Sequence, residues 1–194
     1  MLRLPFGVGL ATLRAGLRLL FGFRVTGVRS AGNGAAMRSP VLGVLFATDE
    51  ARRRALVQRL AQVTHLEARA VAGAQFVAEV AALLTQGGRS RHEVVLQAAA
   101  GCGDAQIREA VERAVALGPA EFEVVARTLG NTGYVVHSVA VCSWALVHAG
   151  PAAMSVLRSV ISVGGDTDTH AAIVGAWLGA EGGAEVFDPR LVSA

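Results

Sequence analysis

The sequence predicts an all-α fold, and three observations carry that prediction. Ala, Val and Leu dominate an apolar content of 53%, while aromatic residues make up only 5%; such a composition favours helices over sheets. Apolar side chains recur with the 3.6-residue period of a helix buried on one face. Ser, Thr and Asp stand before several of these runs and Gly behind them, as helix starts and stops require. At 194 residues the chain is long enough for one domain with a real core and too short for two. A single domain over residues 1–194 is expected.

Leu10 to Phe21 sets Leu10, Leu13, Leu17 and Leu20 on one face and Arg14 and Arg18 opposite, an amphipathic helix closed by Gly22. Val25 to Met37 holds Gly27, Gly32 and Gly34 with Ser30 and Asn33, which is loop chemistry. Pro40 to Phe46 is apolar and fits a buried helix or a short strand. Thr48, Asp49 and Glu50 cap a helix over Ala51 to Gln62. Thr64, with Glu67 at the capping-box spacing, predicts a helix from about Leu66 to Gln86. Ser90 opens the next, which Gly101 and Gly103 break. Asp104 opens another over Ala105 to Leu117, with Ile107, Val111 and Val115 on one face.

Pro119 marks a helix start, followed by Glu121 to Leu129. Gly130-Asn131-Thr132-Gly133 is a turn before a long buried helix that ends near His148. Gly150-Pro151 separates it from Ala152 to Ser162. The last clear helix reaches about Ala180. Its Ala171, Gly175 and Gly179 repeat every four residues, so another helix can approach closely. From Glu181 the periodicity is lost, and both ends of the chain read as cut.

Charge is unevenly placed. Arg3, Arg14, Arg18, Arg24, Arg29 and Arg38 all precede the first acid, Asp49. Such an opening suits a nucleic-acid arm, a targeting peptide or part of a phosphate pocket. No aromatic interleaving supports the nucleic-acid reading. Every basic side chain is Arg, whose fork suits phosphate, although genomic base composition is the simpler cause. Cys102 and Cys142 have neither metal spacing nor a disulfide framework, so buried thiols in a reducing, cytoplasmic setting are expected. Tyr134 to Ala149 is the most apolar stretch. It falls short of the ~20 residues a bilayer span needs and holds His137, Ser138, Ser143 and His148. It reads as a buried helix.

The stretch with the most chemistry is Val163-Gly164-Gly165-Asp166-Thr167-Asp168-Thr169, which runs into a small-residue helix. Its carboxylate and hydroxyl oxygens are hard donors that suit Mg²⁺, Mn²⁺ or Ca²⁺. Gly164 and Gly165 permit a tight backbone approach. A helix cap explains one Asp equally well, and the residues themselves leave both readings open. Arg29 to Arg38 offers a Gly-flanked Asn33 whose backbone N–H groups can hold a phosphate or ribose, or form a bare turn. Thr64-His65 and Tyr134 are weaker candidates. No Ser-His-Asp order, Cys-His pair or zinc motif is present.

Taken together, Ser30-Ala31-Gly32-Asn33-Gly34-Ala35-Ala36-Met37-Arg38-Ser39-Pro40, Thr64-His65, Gly133-Tyr134-Val135 and Gly164-Gly165-Asp166-Thr167-Asp168-Thr169 resemble the ADP-ribosylglycohydrolase family. The resemblance implies a compact multi-helix domain with a binuclear Mg²⁺ or Mn²⁺ site. It also implies hydrolytic removal of ADP-ribose from modified protein side chains, commonly arginine. Carried over, Asp166, Asp168 and Thr169 are expected as metal ligands, with Asp166 and Asp168 catalytic. Ser30, Gly32, Asn33, Gly34, His65 and Tyr134 are expected to contact ADP-ribose.

Two departures stand beside the match. The family's Gly-Asp and Thr-Asp-Asp motifs, which supply further metal ligands, have no counterpart here, and His170 stands where the family usually has Asn. The expectation is a domain lacking its first helices, with apolar surface left uncovered. Such a chain is either an impaired hydrolase or a non-catalytic ADP-ribose binder. The expected partners are ADP-ribose or an ADP-ribosylated protein, with no nucleic acid and no membrane span.

Overall fold

The computed structural model describes residues 9–192; Arg3 of the basic opening lies outside them. The described chain is helical throughout: α1 Leu10–Leu20, α2 Gly34–Arg38, α3 Pro40–Leu45, α4 Glu50–Gln62, α5 Ala68–Gln86, α6 Arg91–Ala100, α7 Ala105–Ala116, α8 Phe122–Leu129, α9 Val135–His148, α10 Ala153–Ser162, α11 Thr167–Gly182 and α12 Pro189–Val192. Among the described residues the extended pairings are two isolated bridges, Val28 with His65 and Gly32 with Tyr134. The all-α expectation holds.

Two helices form the centre because their sequences are apolar on almost every side. In α9, 11 of 14 residues are buried. α5 packs against α2, α3, α4, α6, α9 and α11. Small residues allow this density. A Cβ at Gly43 would collide with the Ala78 carbonyl and one at Gly73 with Val135, so α3 and α9 both seat on the α5 backbone. Trp177 of α11 is fully buried. It donates Nε1–H to the Val77 carbonyl at 2.9 Å and meets Phe76 edge-on at 6.3 Å. Arg53 of α4 is also buried, paired with Glu79 of α5 at 2.6 Å and donating to the Phe46 and Ala47 carbonyls.

Among the described residues, one helix is long and apolar enough to cross a membrane, α5, with mean hydropathy 1.3 and 61% of that window buried inside the protein. The burial places it as a core helix. The stretch from Tyr134 that looked most apolar in the sequence is α9, and it is buried as expected.

Most predicted boundaries hold. Asp49 caps α4 by accepting from the Arg52 N–H, Ser90 and Glu93 form a reciprocal capping box, and Asp104 caps α7. Four readings need correction. The Thr64–Glu67 capping box does not form: α5 begins at Ala68 without a side-chain cap. The Thr64 and Leu66 backbones are instead engaged with Val28, at 3.1 and 2.9 Å, which keeps the chain extended two residues longer. The loop read over Val25 to Met37 turns helical at Gly34. Pro119 does not open a helix; α8 begins at Phe122. The stretch from Glu181, where the periodicity is lost, continues through a 3-10 turn at Ala184–Val186 into α12.

The small-residue face of α11 is divided between two neighbours, Leu157 of α10 beside Gly175 and Phe187 beside Gly179. Exposed apolar side chains include Leu10, Leu17 and Leu20 on α1 and Val41 and Leu45 on α3.

Candidate functional site

One turn, Gly130 to Gly133, gathers the segments that carry chemistry. Asn33 N–H donates to the Gly133 carbonyl at 3.0 Å and Val135 N–H to the Ala31 carbonyl at 3.0 Å, which fastens the Gly-Asn-Gly loop to one side. Asp166 N–H donates to the Asn131 carbonyl at 2.9 Å, and Asn131 Nδ2 donates to the Val163 carbonyl at 3.1 Å. Those bonds fasten the Asp-Thr-Asp-Thr segment to the other side. The approach demands glycine. Gly165 sits at φ +77°, and a Cβ there would overlap the Asn131 carbonyl.

Within this junction Asn33 Nδ2 donates to Asp166 Oδ2 at 2.6 Å and to Ser138 Oγ at 2.7 Å. A carboxylate only accepts, so the amide nitrogen must face Asp166. Asp166 occupies the N-cap position of α11, yet its side chain makes no capping bond. Its carboxylate meets Asn33 instead. Asp168 follows in the first turn, where the helix dipole favours negative charge. A hydrogen bond shared with the Asp166 carboxyl group, then the Thr169 N–H, hold its own carboxyl below the usual range. Thr169 is buried behind the pair.

His65 lies beneath the loop. A Cβ on Gly32 would stand 3.2 Å from its Nε2, and one on Gly34 would stand 3.3 Å from its Cε1. Bare backbone therefore covers the ring. His65 Nδ1 pairs with Thr64 Oγ1 at 2.7 Å, and that hydroxyl accepts from Arg38 Nη2 at 2.8 Å. Burial, then the nearby Arg38 guanidinium, lowers the imidazole pKa, which keeps the ring neutral at neutral pH. Ser30 shapes the same loop, its Oγ accepting from the Gly32 N–H at 3.3 Å.

Tyr134 joins the junction through its backbone, but its ring turns outward. Its hydroxyl accepts from Arg69 Nη1 at 3.0 Å and donates to Gln106 Oε1 at 3.1 Å. The ring meets His137 edge-on at 5.1 Å. It lines a cavity of about 530 Å³ with Gln106, Arg113, Arg127 and His137. Asn33, His65 and Asp166 do not line that cavity.

Sequence reasoning missed four residues of the junction. Asn131 read only as a turn residue, yet it fixes Asp166. Arg38 fell inside a quoted motif without a role. Ser138 had a findable signal, lying one helical turn after Tyr134 and so on the same face of α9. His170, noted only as a departure, is fully buried with Nε2 3.1 Å from Ser138 Oγ.

The donor set fits a hard divalent ion in kind: two carboxylates and a hydroxyl on one short segment. Among the described residues no group of three or more His, Cys, Asp and Glu gathers. A six-coordinate ion would therefore draw its remaining oxygens from water or substrate.

A family model described as ADP-ribosylglycohydrolase matches residues 2–194. No curated protein matches the sequence. A solved structure described as an "ADP-ribosylglycohydrolase-related protein complex" is similar at 26% identity and a TM-score of 0.76, over 96% of this chain and 63% of that one. The chain thus spans under two thirds of that relative's length. The match over nearly its full sequence, together with the junction of Asp166 and the Gly-Asn-Gly loop, shows that the chain belongs to the ADP-ribosylglycohydrolase family.

Proposed function

We propose that this protein is a metal-dependent hydrolase that removes ADP-ribose from modified protein side chains, with ADP-ribosyl-arginine as the type of bond cut. The reading rests on one observation above all. Asn33 of the loop expected to bind ADP-ribose is hydrogen-bonded to Asp166 of the segment expected to bind metal. A ligand held by one is therefore placed against the other.

In the net reaction, water oxygen bonds to the ribose anomeric carbon, the bond from that carbon to the side-chain nitrogen breaks, and the nitrogen takes a water proton. Asp166, Asp168 and Thr169 are the residues to hold Mg²⁺ or Mn²⁺, as one or two ions. When bound, such an ion polarises oxygen ligands and lowers the pKa of water. The chain's own groups bind and orient. Both amide protons of Asn33 are engaged, so its Oδ1 is the atom left to accept from a ribose hydroxyl. Neutral His65 offers a further polar contact beneath Gly32 and Gly34. Asp168 is the more exposed carboxylate, so it is the one that water and substrate reach. Cys102 and Cys142 are both buried free thiols, which suits work in a reducing cytoplasm.

Incubating the protein with an arginine-ADP-ribosylated substrate, with and without Mg²⁺, and assaying free ADP-ribose tests this directly. Release that needs the metal supports it. The scarcity of carboxylates favours a second reading, a non-catalytic ADP-ribose binder. Calorimetry that finds metal-independent ADP-ribose binding, with no release from the modified protein, replaces the first reading with the second.

A further inference from the structure

We propose that Ser138, backed by His170, is a positioning residue for Asp166 that acts through Asn33. The inference deepens the functional reading above and rests on it for the role of Asp166. Ser138 and His170 are both fully buried, and Asn33 is nearly so. Nothing in the net reaction uses the serine or the histidine.

Hydrogen-bond accounting gives the direction of the chain. Asn33 Nδ2 has two protons; one goes to Asp166 Oδ2 and the other to Ser138 Oγ. His170 Nε2 lies 3.1 Å from the same hydroxyl, while its Nδ1 is buried without a partner. If the imidazole proton sat on Nδ1, a buried N–H would be orphaned. An unpaired lone pair costs less than that, so the proton belongs on Nε2. Ser138 Oγ then accepts twice, from His170 and from Asn33, and its own proton turns to the Tyr134 carbonyl at 3.4 Å. The hydroxyl becomes a fixed acceptor that turns the Asn33 amide toward Asp166.

The mechanical setting explains why a hold is needed. Ser138 sits in α9, which is buried along most of its length. Asp166 sits at the end of a turn containing two positive-φ glycines, which does little by itself to fix a side chain. Asn33 links the buried helix to that turn. Remove the serine hydroxyl and the amide loses the acceptor that sets its rotation.

The test uses the full chain labelled with ¹⁵N-asparagine. Asn33 and Asn131 are its only asparagines, so two side-chain amides are seen. In the unmodified protein both Asn33 amide protons should resist exchange, while Asn131, with one acceptor, should show one protected and one open. Ser138→Ala should open one Asn33 proton and Asp166→Ala the other. Ser138→Thr, which keeps a hydroxyl, should restore protection. Calorimetry with ADP-ribose and electron paramagnetic resonance with Mn²⁺ should show Ser138→Ala weakening both ligands roughly tenfold. It should add nothing in an Asn33→Ala background, whereas a merely structural role would still add its own loss there.

Free exchange of both Asn33 protons in the unmodified protein overturns the proposal. Unchanged protection in Ser138→Ala, or additive losses in the double variant, does so too. If Ser138→Ala does not fold, the Asp166→Ala and Ser138→Thr spectra decide. If the amide pattern behaves as stated but the unmodified protein binds neither ADP-ribose nor Mn²⁺, the functional reading fails while the positioning geometry stands.

Discussion

Asn33 and Asp166 lie 133 positions apart in the chain and 2.6 Å apart in space, joined by one amide-to-carboxylate hydrogen bond. Such a charge-assisted bond is shorter and stronger than a neutral one. It makes the two ends of the candidate site one object, and the first prediction follows from it.

Asn33→Ala should cost about 2–3 kcal/mol of stability, since one buried and one partly buried hydrogen bond go and Ser138 loses a partner. Asn33→Asp should be worse at neutral pH, because it sets a third carboxylate beside Asp166 and Asp168. The gap between the variants should narrow as pH falls and the introduced carboxyl group takes up a proton. Chemical denaturation across pH measures both.

Gly165→Ala attacks the backbone rather than a side chain. A Cβ at φ +77° would overlap the Asn131 carbonyl, so the turn must open. We expect a loss of about 2–4 kcal/mol. Release of Asp166 from the junction should also lower ADP-ribose affinity, measured by calorimetry. Gly88→Ala makes a control: its φ is +75° but nothing lies within 4 Å of the added carbon, so its cost should be smaller and leave binding unchanged.

The lowered His65 pKa predicts a pH dependence. Above the ordinary imidazole value of about 6.5, folded and unfolded chains both carry the ring neutral, and it adds no slope. Below that value the unfolded chain takes the proton first, so stability falls with falling pH until the folded value is passed. His65→Gln should flatten that part of the stability curve relative to the unmodified protein. Parallel curves for the two proteins would show that His65 is not held neutral.

The pair of buried Arg53 and half-buried Glu79 predicts an asymmetric result. Glu79→Ala leaves a buried guanidinium with only the Phe46 and Ala47 carbonyls and should cost about 2–3 kcal/mol. Glu79→Gln keeps an acceptor and should cost clearly less. Urea midpoints for the two variants check the order.

The elements with clean local signals were legible in the sequence. Asp49, Ser90 and Asp104 each cap the helix they announce, because a cap joins residues only three apart in the chain. Thr64 shows the limit. It carries the capping-box pattern, but its hydroxyl is claimed by Arg38 and His65 and its carbonyl by Val28. Those partners are distant in the chain or silent in any local window. The same holds for the site. Asp166, Asp168 and Asn33 announced themselves by residue type and glycine spacing. Ser138 and Asn131 matter only because a shared turn brings three segments together, and no short-range pattern records that. Tyr134 was legible as a junction residue by its backbone, while the outward path of its ring depended on Arg69 and Gln106.

The most direct test of the account is release of ADP-ribose from an arginine-modified protein by this chain and by its Asp168→Ala variant, each with and without Mg²⁺. The account predicts metal-dependent release by the unmodified protein and its loss in the variant, with ADP-ribose binding weakened far less. Release that persists undiminished in Asp168→Ala would contradict it.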